Sequence, residues 1–176
     1  MRLLGFIRLG FVIWILACFV NETYAQNNEL ELVKLSQVVL YQPNSVFEKR
    51  TKAVDLSNYI KEIMKCYNDY LLSKKYTYAS SAIILFTVNS NNNSKFWLID
   101  NYNNSNNTEL NNLLMNITTL TVNDRSIAAA IFIGNFNELN ANINNEIYLP
   151  DEWMEILRYS NRHLTVDDIL DIIWTK

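Results

Sequence analysis

The chain has 176 residues, 49% of them hydrophobic and 19% charged, with 15 basic against 18 acidic side chains and a net charge of −3. Both signs are scattered, so there is no basic stripe to neutralise phosphates, and nucleic acid is excluded as an expected partner. Three glycines and a single histidine likewise exclude phosphate-cradling glycine loops and multi-histidine metal sites, and no cofactor is expected.

Residues 1–25 read as an export signal. Arg2 and Arg8 form a basic n-region, Leu9 to Val20 an apolar h-region, and Thr23-Tyr24-Ala25 a small-residue cleavage site. The apolar run falls short of the roughly 20 residues a spanning helix needs, and Asn21-Glu22-Thr23 ends it, which disfavours an uncleaved anchor. Cleavage after Ala25 predicts a secreted or periplasmic chain, 26–176, sized for one domain and without a transmembrane span. An alternative is lipidation: Ile15-Leu16-Ala17-Cys18 resembles a bacterial lipobox, which would make Cys18 the new N-terminus. Beyond the leader Cys66 is the sole cysteine, so no intramolecular disulfide is expected. Its position at the border of a helix's apolar face marks it as a half-buried small hydrophobe.

A strand is expected near Ser36 to Tyr41, followed by a turn at Pro43-Asn44-Ser45. Asp55 then caps a helix whose apolar residues Leu56, Tyr59, Ile60, Ile63, Met64, Tyr67 and Leu71 follow the 3.6-residue period. The run "SSAIILFTVNS" is apolar on both faces and predicts a central strand. "KFWLID" predicts its hairpin partner across the polar loop Asn89 to Ser94. Asparagine tolerates the left-handed backbone such turns use, which suits a chain whose only glycine beyond the leader is Gly134.

Asn101 to Asn107 is a polar connector. Asn107 or Thr108 caps a helix carrying Leu110, Leu113, Leu114 and Ile117. The asparagine richness reads as composition bias. Four sequons, at Asn92, Asn103, Asn106 and Asn116, are open to glycosylation in a eukaryotic secretory pathway. "SIAAAIFIGNF" predicts a third strand of the sheet, whose small alanines let a helix lie close. Glu146 to Leu149 is a candidate short strand. Pro150 and Asp151 open a helix with Trp153, Met154, Ile156 and Leu157, and Thr165 caps a last one with Val166, Ile169, Leu170 and Ile173 on its core side.

Residues able to carry chemistry are few. His163 lacks a nucleophile motif to serve, and with Cys66 it cannot complete a zinc set without carboxylates. Asp167, Asp168 and Asp171 form the densest acidic group, and the i,i+4 spacing sets Asp167 and Asp171 on one helix face, where two carboxylates can share a proton or hold a cation. The same acids also suit the first turn of a helix, where they complement its dipole. Arg158 and Arg162 make a small basic ridge beside His163.

The order helix (Asp55 to Ser73), strand "AIILFTVN", turn, strand "KFWLID", helix "ELNNLLMNI", strand "SIAAAIFIGN" resembles the C-terminal domain of TonB-type energy transducers. The resemblance spans about residues 55–135 and is one of topology and spacing. It implies two helices against a three-stranded antiparallel sheet that engages partner peptides at a sheet edge. A glycine-bearing hairpin turn and a tryptophan-x-proline after the second helix belong to that pattern, and this chain has neither. The expected fold is therefore α+β, helices packed on a small antiparallel sheet behind a signal peptide. The expected function is that of an exported, non-enzymatic binding protein of the cell envelope or extracellular space. It takes a protein or peptide at the edge formed by Ile127, Ala129, Ile131 and Ile133. The alternative is a secreted hydrolase using Asp167, Asp171 and His163.

Overall fold

Branched and aromatic residues in period two, and aliphatics at helical spacing, sort this chain into sheet and helices. The computed structural model describes residues 32–75, 81–100, 108–118, 120–134 and 149–175. Within them lie strands β1 (Leu35–Leu40), β2 (Ala82–Val88), β3 (Ser94–Asp100) and β4 (Ile127–Ile133). The helices are α1 (Asn44–Arg50), α2 (Ala53–Ser73), α3 (Thr108–Met115), α4 (Asp151–Tyr159) and α5 (Val166–Thr175). The fold is α+β, as expected. The strands form one antiparallel sheet in the order β1-β4-β2-β3.

Helices cover both faces of this sheet. On one face Ile84 and Phe86 of β2, with Ala129 and Ile131 of β4, join the stripe Leu56, Tyr59, Ile60, Ile63, Tyr67 and Leu71 of α2 and Leu110 and Leu114 of α3. On the other, Ile83 and Leu85 of β2 and Ala128 and Ala130 of β4 meet Trp153 and Ile156 of α4 and Ile169, Leu170 and Ile173 of α5. Every residue of β2 is buried, which explains why it is apolar on both faces. The alanines of β4 leave room for the Trp153 indole, which is fully buried and stacks edge-on against Tyr41 and Trp97.

Several local expectations are met. Thr165 caps α5: its hydroxyl accepts from the Asp168 amide at 3.3 Å while the Asp168 carboxylate accepts from the Thr165 amide at 2.8 Å. In the β2–β3 turn the Asn89 side chain accepts from the amides of Asn91 and Asn93, and Asn92 adopts a φ of 61°. Gly134 has a φ of 87°, and a Cβ there would sit 2.9 Å from Ser81 Oγ, so both backbone and packing require glycine.

Others are corrected. Pro43-Asn44-Ser45 is the start of α1, with Pro43 at the N-cap position and its carbonyl accepting from Val46 and Phe47. α2 begins at Ala53, before Asp55, which lies in its first turn and does not cap it. The candidate strand Glu146 to Leu149 falls outside the described residues except for Leu149, and so does Asn107. Cys66 is half-buried against the α2 core, and burial pushes its thiol pKa up. Among the described residues no helix is long and apolar enough to cross a membrane.

Candidate functional site

The acidic group singled out in the sequence divides in three dimensions. Asp167 stands in the first turn of α5, facing the end of β1, the last residue of α1 and the entry to β4. Its Oδ1 accepts from Arg50 Nη1 at 2.8 Å and from Gln42 Nε2 at 3.1 Å, and its Oδ2 accepts from Arg50 Nη2 at 2.7 Å. Arg125 Nη1 lies 3.9 Å away. Arg50 and Gln42 each donate to the Ser126 carbonyl as well, and Gln42 Oε1 accepts from the Ala128 amide. One bidentate pair and one amide thus tie β1, α1, β4 and α5 together across 117 residues of sequence.

The electrostatics follow from this geometry. The Arg50 hydrogen bonds hold the Asp167 carboxyl below its ordinary pKa, with Gln42 and the charge of Arg125 acting in the same direction. Asp168 is held low as well, first by the Thr165 amide. Asp171 and His163 are exposed, and neither makes a hydrogen bond or ion pair among the described residues. Asp167 is therefore committed to Arg50 and Gln42, and its carboxylate is not free to share a proton with Asp171. Among the described residues no three His, Cys, Asp or Glu side chains converge as metal ligands. Arg162 lies 3.8 Å from Asp168. With Glu155 and Tyr159 it rims an open cleft of about 330 Å³ floored by Ile156, Leu164 and Ile172. Nothing in the sequence marked Gln42 or Arg50, since only the tertiary fold brings them to Asp167.

The proposed interaction edge is overturned. Ile127, Ala129, Ile131 and Ile133 lie on β4, which pairs with β2 on one side and β1 on the other, and all four side chains are fully buried. The last strand in chain order among the described residues lies between two earlier ones, so its backbone groups are spent within the sheet.

Among the described residues the edges are β1 and β3. The Asn89 amide donates to the Asn93 carbonyl and the Tyr41 amide to the Ala128 carbonyl, which fixes the phase of the ladders. By alternation Val39 and Tyr41 direct their backbone groups to β4, and Val38 and Leu40 direct theirs outward. A bulge interrupts β1 between Leu35 and Gln37. The two edges differ in chemistry. β3 carries Lys95, whose Nζ donates to the Ile173 carbonyl at 2.7 Å while lying 5.2 Å from the Trp174 ring centroid. β1 has neither charge nor proline between Leu35 and Leu40, and Val38, Val39 and Leu40 are each half-buried. Comparison with known proteins returns no matching family, no matching curated protein and no matching solved structure.

Proposed function

We propose that the chain is an exported, non-enzymatic binding protein that takes an extended segment of its partner as an added strand along β1. The observation that carries this reading is the outer side of β1, where the backbone groups of Val38 and Leu40 face away from β4 on a strand with no charge or proline. Main-chain hydrogen bonds along that side would supply affinity. The half-buried Val38 and Leu40 on the α2 face, and Val39 on the α4 and α5 face, would select side chains. The resemblance to TonB-type C-terminal domains covers 55–135 and supports edge-strand addition as a mode, while the choice of β1, which lies outside that stretch, rests on the sheet order. The apolar leader of residues 1–25 supports export.

The test is comparative capture from a native extract with three baits: wild type, Val38→Pro, and a variant with alanine at both His163 and Asp171. Val38→Pro removes an outward donor on an edge strand, where proline is tolerated. A partner held by wild type and by the double-alanine variant, and lost with Val38→Pro, is the expected result. A partner lost with the double-alanine variant and kept by Val38→Pro would move the site to the C-terminal helices.

A further inference from the structure

We infer that the strand added to β1 is β1 of a second copy, joining two sheets into one across a two-fold axis at Val39. This inference rests on the reading of β1 as an open edge, and it names the occupant. Antiparallel pairing of a strand with itself is the arrangement a closed two-fold dimer requires, because each residue finds its own symmetry mate. With the axis at Val39, the outward groups of Val38 meet those of Leu40 in the partner, and the reverse. Both hydrogen-bonded positions then use backbone already directed away from β4.

The side chains agree with this register. Val39 faces its own copy on the α4 and α5 side, and Val38 faces Leu40 on the α2 side, so apolar groups meet on both faces. Gln37 falls opposite Tyr41, and the paired span from Gln37 to Tyr41 holds no charged residue. No like charges are opposed. A foreign peptide would have to reproduce an uncharged, two-faced aliphatic pattern, and β1 itself already has it.

Closure at two copies is also explained. Once the β1 strands pair, the outer edges of the joined sheet among the described residues are the two β3 strands, which carry Lys95. Charged edge residues disfavour further strand addition. Assembly therefore stops at the dimer rather than extending into a fibre.

Sedimentation of the purified protein across a hundredfold concentration range, with hydrogen exchange at both ends, tests the proposal. The expected result is a concentration-dependent doubling of mass, with the Val38 and Leu40 amides slow in the dimer and fast in the dilute monomer. Val38→Pro should retain its circular dichroism spectrum and weaken dimerisation at least tenfold. Val39→Cys, in a Cys66→Ser background, should cross-link under mild oxidation, since directly opposed non-hydrogen-bonded positions are close enough for a disulfide. A protein monomeric throughout, with both amides fast, overturns the inference and leaves an open edge for a foreign strand. A monomer with both amides slow overturns the inference and the open-edge reading together. A folded Val38→Pro that dimerises as wild type, or a dimer in which Val39→Cys does not cross-link, overturns the β1 pairing.

Discussion

At the scale of single residues, the Arg50–Asp167 pair shows how a group that resembles catalytic apparatus in a sequence becomes structural in the fold. The Arg50 side chain is 9% exposed and that of Asp167 26%. Removing the anion leaves a nearly buried guanidinium without its counter-charge, so Asp167→Asn should destabilise the protein by about 2–3 kcal/mol, toward the low end of the range for broken buried pairs because solvent reaches the carboxylate. Urea denaturation checks this, and a midpoint equal to wild type would show the pair to be idle. Because the folded carboxyl titrates below its usual 3.8, its contribution is present above that value and lost as pH falls through the folded pKa. Tyr59 has the opposite sign. Burial pushes its hydroxyl pKa up to about 12, although its bond to Ser94 Oγ at 2.8 Å pulls the other way. The unfolded chain loses that proton near pH 10, so stability is intact below pH 10 and falls by about 1.4 kcal/mol per pH unit until about pH 12. In Tyr59→Phe that alkaline loss should shrink, as measured by comparing denaturant midpoints at pH 9 and 11.

At the scale of elements, α2 is the clearest product of sequence pattern. Six buried side chains recur at helical spacing, with Ile63 fully buried at the centre. Ile63→Asp should abolish soluble folding, at a cost above about 3 kcal/mol, because an unpaired carboxylate would be fully buried within the apolar cluster that α2 shares with the sheet. A cooperative melt within a few degrees of wild type would contradict that burial. The long helices and the two-faced strand β2 were legible because periodicity over many residues reports burial directly. α1 was not, since its seven residues, Asn44–Arg50, open behind Pro43 on the turn-like pair Asn44-Ser45 and hold too few apolar positions to reveal a period. β4 was recognised as a strand but assigned to the wrong position. Its signal was nonetheless present: "IAAAIFI" is apolar on both faces, as β2 is, and that pattern belongs to a strand with neighbours on both sides. Order of arrival in the chain carried no such information. The partners of Asp167 were not legible at all, because Gln42 and Arg50 are distinguished only by where α1 ends relative to α5.

At the scale of the whole molecule, the sheet is shared property. Ile83, Leu85, Ala128 and Ala130 are fully buried on the face covered by α4 and α5, while Ile84, Phe86, Ala129 and Ile131 are fully buried on the face covered by α2 and α3. Residues 55–135 contain only the second of these coverings. A chain ending at Gly134 would lose Trp153, Ile156, Ile169, Leu170 and Ile173 from the first face, each large aliphatic or aromatic side chain contributing roughly 1.5–3 kcal/mol by burial. It would also lose Asp167 and leave Arg50 without its anion. Net stabilities of domains this size are about 5–15 kcal/mol, so the sum of those losses exceeds what the remaining layer can supply. The truncated chain is therefore expected to aggregate or to lack a cooperative transition, and the full protein to unfold in one step in which tryptophan fluorescence, reporting Trp97, Trp153 and Trp174, coincides with far-ultraviolet circular dichroism. A truncated chain that stays soluble and melts cooperatively would show the α2–α3 layer and the sheet to be self-sufficient, with α4 and α5 an addition rather than half of the core.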